Sequence, residues 1–160
     1  MRSDDLSEAL RLDSYLPYRL SVASNAVSGL IARAYEDRFG LSIPQWRLIC
    51  VLAEDQTLTQ VQIVARTMMD KVTVSRAAQG LVKRRLICRT QNTSDGRSHV
   101  LALTPAGRSL HVEIAPLALA YEAALISGLD PDEVLLLKRL LSRLQAAVGQ
   151  LAGDTTAPRA

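Results

Sequence analysis

The sequence contains few of the residues on which disulfides and metal sites depend. Its 160 residues include two cysteines and two histidines, and only 4% are aromatic. Cys50 and Cys88 each follow a Leu-Ile pair, and neither belongs to a CxxC motif or a His-rich segment. We therefore expect structural thiols and no disulfide framework, metal or cofactor. Redox sensing by either thiol would require a lowered pKa and access to solvent.

The motifs of the common enzyme classes are also missing. There is no glycine-rich phosphate loop, no HExxH and no GxSxG. His99 and His111 have no cysteine or serine neighbour in a familiar catalytic arrangement. We therefore expect that this protein is not an enzyme.

Long apolar runs are absent as well. No stretch approaches eighteen uninterrupted apolar residues, and the first ten residues are polar and acidic without an apolar signal core. These features predict a cytoplasmic protein with no membrane partner.

What the chain does contain favours helices. Hydrophobic residues make up 48% of it, and the surplus is Leu, Ala and Val, which suit helix-on-helix packing better than a sheet sandwich. The length allows one domain, or one domain with an oligomerisation appendage.

Positive charge is concentrated in the middle third. Between Thr57 and Arg108 there are nine basic and two acidic residues, a net charge of +7, whereas ten basic and fourteen acidic residues give −4 elsewhere. This distribution is typical of a module that binds a polyanion.

The stretch from 59 to 85, TQVQIVARTMMDKVTVSRAAQGLVKRR, predicts two helices joined by a tight turn. Thr59 followed by Gln62 is a capping-box pattern, so a short helix should begin there and end near Met68. Asp70 suits the N-cap of the second helix, which should run to about Arg85.

Helical spacing gives the second helix two distinct sides. One is apolar and suited to packing on the first helix; it carries Val74, Ala77, Ala78, Leu81 and Val82. The other carries Arg76, Gln79 and Lys83, flanked by Thr73 and Ser75. This pattern is typical of a helix-turn-helix whose second helix enters the DNA major groove.

Two short β-prone runs, 86–91 and 99–103, follow around Asp95 and Gly96 and predict a hairpin. A hairpin placed after a recognition helix is a wing. We expect Arg97 at its tip to enter the minor groove, with Asp95 holding the guanidinium by a charge-assisted pair.

Apolar seams flank this region. One long helix is predicted from Ser14 to about Gly40, and another from Pro105 to Ile126. A last helix starts at Asp130 and Pro131, and its apolar residues recur every three or four positions, so it should pack on partners.

The order of these motifs resembles the MarR-type winged helix-turn-helix regulators, the multiple antibiotic resistance regulator family. The matching segments are LSIPQWRLICVLAE at 41–54, LTQVQIVA at 58–65, DKVTVSRAAQGLVKRRLICR at 70–89 and SDGRSHVLALTPAGR at 94–108. Two residues depart from the family pattern: Gly80 lies where a helix former is more usual, and Arg85 where glycine is common.

The resemblance implies a mainly α (α+β) fold: a winged helix-turn-helix with a two-stranded β wing, flanked by long N- and C-terminal dimerisation helices. It further implies a homodimer that binds a pseudo-palindromic double-stranded DNA operator. The expected organisation is a disordered N-terminus (1–12), a dimerisation region (13–40 and 105–152), a DNA-binding domain (41–104) and a disordered tail (153–160).

The resemblance also suggests which residues bind DNA. Thr73, Ser75 and Arg76 would face base edges and phosphates, and Thr59 and Gln60 would contact phosphate. Nearby support would come from Lys71, Gln79, Lys83 and Arg84.

Many members release DNA when a small molecule enters a cleft beside the dimerisation helices. An arginine next to aromatic rings can pair a carboxylate and cover a ring. We therefore expect an aryl carboxylate, a phenolic acid or its thioester as inducer of a repressor. The candidate effector residues are Tyr15, Tyr18, Arg19, Trp46, Arg47 and His111.

Two alternatives remain open at this point. A winged helix can serve as an adapter that binds protein or RNA. Its basic face would then be solvated or would bind A-form RNA. A redox-responsive repressor that uses Cys50 or Cys88 is the other alternative.

Overall fold

The computed structural model describes residues 10–153, so the termini predicted to be disordered lie largely outside the described residues. The chain forms two compact units with a boundary between Tyr121 and Glu122. In the described residues the helices are α1 (Leu16–Ala32), α2 (Glu36–Phe39), α3 (Ile43–Asp55), α4 (Gln60–Thr67), α5 (Lys71–Lys83), α6 (Pro105–Ile126) and α7 (Pro131–Gly153). The strands are β1 (Thr57–Thr59), β2 (Ile87–Gln91) and β3 (His99–Leu103).

The predicted helix from Ser14 to Gly40 is broken. α1 ends at Ala32, and α2 begins only after a turn that ends at Tyr35. Ala32, Ala34 and Tyr35 are all buried, and the last two belong to the turn between the helices. The single-helix prediction was wrong, but the predicted stop is confirmed because Gly40 adopts a left-handed conformation with φ of 60°.

α3 follows its predicted start signal. The Ser42 hydroxyl accepts from the Gln45 N–H, and the Gln45 side chain accepts from the Ser42 N–H, which completes a capping box. Trp46, Leu48 and Leu52 are buried on its inner side. α5 packs against α3.

The sheet has one more strand than the sequence predicted. β2 and β3 form the expected antiparallel hairpin, and β1 pairs with the other edge of β3, so that the order is β1-β3-β2. Leu58 lies opposite Leu101 in this additional pairing. β1 is only three residues long, too short for an alternating pattern to be recognised.

The buried core lies in the first unit. It joins α3, α4, α5, the sheet and the first half of α6 through the side chains of Leu41, Trp46, Leu48, Ile49, Leu52, Leu58, Ile63, Val74, Leu81, Leu86, Ile87, Leu101, Leu103 and Ile114. α6 begins at Pro105, and the hydroxyl of the preceding residue, Thr104, accepts from the Gly107 N–H at 3.1 Å.

The two long C-terminal helices leave apolar surface uncovered. No residue of α7 is buried, and its large apolar side chains from Leu135 to Leu151 are exposed. α6 is long and apolar enough to cross a membrane by length and composition alone, with a mean hydropathy of 1.3 over its best window. A helix that is covered by another protein chain passes the same test.

Gly107 is required by a close backbone approach. A Cβ atom at this position would lie 2.0 Å from the Leu86 carbonyl oxygen, well inside contact distance. We expect Gly107→Ala to lower the free energy of unfolding by about 2 kcal/mol or more, because rigid backbone would have to move. Denaturant titration monitored by circular dichroism measures this change.

Gly29 supplies the matched control, since a Cβ there meets nothing within 4 Å. Gly29→Ala in α1 should stabilise the protein by up to about 1 kcal/mol through helix propensity. Equal effects of the two substitutions would contradict the close approach at Gly107.

Candidate nucleic-acid interface

The first helix of the helix-turn-helix is capped as predicted. The Thr59 hydroxyl accepts from the Gln62 N–H at 3.3 Å, and the Gln62 side-chain oxygen accepts from the Thr59 N–H at 2.8 Å. α4 ends at Thr67, and its C-cap residue, Met68, adopts a left-handed φ of 56° that lets the chain turn into the next helix. The backbone entering α4 is therefore fixed at Thr59 and Gln60.

Asp70 caps α5 and engages Thr73. One carboxylate oxygen accepts from the Thr73 N–H at 2.8 Å and the other from its hydroxyl at 2.6 Å. These bonds, the hydroxyl bond first, lower the pKa of Asp70. The Thr73 hydroxyl therefore donates within the protein, and its side chain is half-buried, while its predicted contact with DNA stays a prediction.

The inner side of α5 is buried almost as predicted. Val74, Ala77, Ala78 and Leu81 are no more than 5% exposed, whereas Val82 is 39% exposed and lies at the edge of the stripe. Burial of one side fixes which residues of α5 face outward.

The outer side of α5 carries an open depression of about 360 Å³. It is lined by Lys71, Val72, Ser75, Arg76 and Gln79. Four of these five were predicted to bind DNA. Val72, which is 57% exposed, was missed, although helical spacing places it only about 40° from Arg76. In a major groove, an exposed apolar side chain can contact a thymine methyl group.

A second depression, of about 250 Å³, joins α5 to the start of α4 and to the sheet. Its lining includes three predicted residues, Gln60, Gln79 and Lys83, together with Arg89, which was missed. One Arg89 guanidinium nitrogen lies 3.1 Å from Nδ1 of His99 across the hairpin. The sequence did not identify Arg89 as a candidate, because only the pairing of β2 with β3 brings it beside α5.

The wing tip differs from the prediction in one contact. The Asp95 carboxylate accepts from the backbone N–H of Arg97 at 3.1 Å, and the described residues show no ion pair between Asp95 and the Arg97 guanidinium. Asp95 therefore shapes the turn, as Asp residues do when they bond a backbone N–H two residues on. The Arg97 side chain is exposed at the tip.

Arg84, predicted as a supporting residue for DNA binding, makes its observed contacts within the protein. Its guanidinium donates to the carbonyls of Phe39 at 2.7 Å and Gly40 at 2.9 Å, at the end of α2. Both terminal nitrogens are thus engaged within the protein.

The structure brings together only part of the candidate effector set. Trp46 and His111 stack with ring centroids 5.6 Å apart, and Tyr35, which was missed, also stacks with Trp46, at 5.4 Å. Arg47 donates to the Ser28 hydroxyl at 3.0 Å.

The remaining candidates lie at the start of α1. Tyr15 and Tyr18 are each 43% exposed, and Arg19 donates to the Asp13 carbonyl at 3.4 Å. None of the six candidates lines either depression described above.

The thiols differ in environment. Burial raises the pKa of Cys50 to about 12, so its thiol stays protonated at neutral pH, which disfavours a redox role. Cys88 is exposed, and its Sγ lies 3.6 Å from the Ala102 carbonyl oxygen. Across residues 10–153, no three His, Cys, Asp or Glu side chains cluster as a metal site would require.

The lowered pKa of Asp70 predicts a pH-dependent cap. Because the folded pKa lies below the unfolded value, the stabilisation is present above about pH 4 and is lost as pH falls through the folded pKa. Asp70→Asn should lower the melting temperature at pH 7 and much less near pH 3, since asparagine also caps but carries no charge. Thermal melts of both proteins measure this, and a difference independent of pH would contradict it.

Comparisons with known proteins agree with this architecture. Residues 39–98 match the model of the MarR family. No curated protein sequence matches the chain significantly. A probable transcriptional regulator from Pseudomonas aeruginosa is 30% identical, with a TM-score of 0.75 over 84% of this chain and 99% of its own.

Two further structures are similar. A MarR/EmrR family transcriptional regulator from Acinetobacter sp. ADP1 is 25% identical, with a TM-score of 0.81 over 88% of this chain and 99% of its own. Bordetella bronchiseptica BpsR, whose DNA binding is regulated by 6-hydroxynicotinic acid, is 26% identical, with a TM-score of 0.73 over 81% of this chain and 97% of its own. The capped helix-turn-helix, the β wing and these relatives together show that the chain belongs to the MarR family of winged-helix transcriptional regulators.

Proposed function

We propose that this regulator is a homodimeric repressor that leaves a pseudo-palindromic operator when a small aromatic carboxylate, or its thioester, binds. The observation that carries the DNA-binding part is the outer side of α5, where Lys71 and Arg76 stand beside hydroxyl and amide groups in an open depression. A helix with this surface fits the major groove, and its positive charges pair with phosphates.

The β2–β3 hairpin extends this surface. Exposed Arg97 lies at the hairpin tip, and Lys83 and Arg89 lie between α5 and the sheet. Basic side chains in three successive elements match the path of a duplex backbone better than a single charged helix does. A DNA target supports an action in the cytoplasm.

Support for the dimer comes from apolar surface that a single chain leaves exposed. Eight large apolar residues of α7 are each at least 37% exposed: Leu135, Leu136, Leu137, Leu140, Leu141, Leu144, Val148 and Leu151. A contiguous apolar helix face on a monomer marks an interaction site. A second copy that covers these helices also accounts for the apolar character of α6 without a membrane.

Support for the effector class comes from the stacked rings of Trp46 and His111 and from the nearby arginine of α3, Arg47. An aromatic carboxylate would stack on the rings and pair with the guanidinium. BpsR responds to a ligand of this class, 6-hydroxynicotinic acid.

Two substitutions on α5 test the DNA-binding mode. Arg76→Ala should reduce discrimination between the operator and mutated duplexes, at a cost of about 1–3 kcal/mol for the correct sequence, because a bidentate base contact is lost. Lys83→Ala should weaken all duplexes about equally and reduce the slope of log affinity against log salt by roughly one. Fluorescence anisotropy with promoter duplexes at several salt concentrations gives both quantities.

Arg38→Ala is the control, because Arg38 is an exposed arginine that pairs with Glu113 outside the α5 surface. It removes the same charge and should leave specificity unchanged. If Arg76→Ala behaved like Arg38→Ala, the recognition role of α5 would be wrong.

The effector proposal predicts ligand-dependent stabilisation. Benzoate, salicylate or 6-hydroxynicotinate at about 100 times its dissociation constant should stabilise the fold by about 2.7 kcal/mol and release the operator. Cyclohexanecarboxylate lacks the ring electrons and benzamide lacks the charge, so both should act weakly. Thermal-shift assays and operator release measure these effects, and equal shifts with all five compounds would exclude recognition of an aromatic carboxylate.

A further inference from the structure

The C-terminal end of α5 is held in a defined turn. The Leu86 N–H donates to the Leu81 carbonyl at 3.0 Å, and the Arg85 N–H donates to the Val82 carbonyl at 2.9 Å, which is the Schellman arrangement. Arg85 occupies the left-handed position of this motif, with φ of 59°. The direction in which the chain leaves α5 is therefore fixed by backbone bonds.

The carbonyls that Arg84 contacts have few alternative partners. Phe39 closes α2 and Gly40 follows it, where helical carbonyls lack intrahelical donors. The guanidinium presents two donors in a planar fork, and it reaches both carbonyls at 2.7 and 2.9 Å. One arginine thus joins the end of α5 to the end of α2.

Gly80 and Arg84 lie on the same side of α5, next to the start of α3 and the end of α2. Arg84 lies four residues after Gly80, so both project from one face of the helix, and Arg84 is about 80° away from Arg76. A Cβ at Gly80 would lie 2.6 Å from Nε2 of Gln45, near the start of α3. The absence of a side chain at Gly80 therefore leaves room for the end of the Gln45 side chain beside α5.

We propose that Arg84 is a positioning residue that sets the orientation of α5 for DNA and does not itself bind phosphate. This inference rests on the proposed DNA-binding function. The side chain holds the C-terminal end of the helix, while Asp70 caps its N-terminal end, so that Arg76 and Lys83 are presented at a fixed angle.

The proposal predicts that lysine cannot replace arginine at position 84. A phosphate contact requires positive charge, which lysine also supplies as a point charge. Bridging two carbonyls requires the fork, which lysine does not have. A phosphate contact also contributes about one unit to the salt slope, whereas a positioning residue contributes none.

The test is a titration of an operator duplex at several salt concentrations with the full chain and four variants. Arg84→Lys and Arg84→Ala should both lose operator affinity by roughly tenfold with the wild-type salt slope. Lys83→Arg should behave as wild type, whereas Lys83→Ala should lose about one unit of slope. Circular dichroism establishes that each variant is folded.

Gly80→Ala is a control variant next to Arg84 that leaves both Arg84 hydrogen bonds in place. It should keep the wild-type operator affinity and salt slope, because a methyl group there displaces only the flexible end of the Gln45 side chain. A loss of affinity as large as that of Arg84→Ala would overturn the specific role of Arg84.

The outcomes distinguish the two proposals. Full affinity of Arg84→Lys, or a unit loss of slope in Arg84→Ala, would overturn the positioning role while DNA binding stands. A wild-type chain with no salt-dependent affinity for duplex DNA would overturn the proposed function, and the inference with it.

Discussion

The burial of one side of α5 is the constraint on which the DNA-binding surface depends. Val74 and Leu81 are fully buried, and Ala77 and Ala78 are small enough for the helix to lie close to α3. Because the apolar stripe can face only the core, Arg76 and Gln79 must face outward. The free energy that folds this domain therefore also orients its recognition surface.

Local signals in the sequence predicted most of the fold. The capping patterns at Ser42, Thr59 and Asp70 place three helix starts correctly, since each depends on a side chain bonding a backbone N–H three residues on. The hairpin follows equally from two short β-prone runs around a Gly-containing turn.

What the sequence did not predict depends on contacts between distant segments. After the break at Ala32, Tyr35 is buried and stacks with Trp46 of α3, and β1 pairs with an edge of β3. In the sequence, Arg84 is one of three consecutive basic residues. Only the folded chain brings its guanidinium to carbonyls more than forty residues earlier. The sequence therefore predicted which face of α5 is turned outward, but it did not predict the contacts of each basic side chain.

We propose that two copies of this chain present their α5 helices to neighbouring turns of one duplex. A hydroxyl-radical footprint of the operator with the purified chain measures where they lie. We expect two protected regions centred about 10–10.5 base pairs apart, or a multiple of that, related by a two-fold axis. One isolated protected region, or uniform protection without sequence preference, would contradict it.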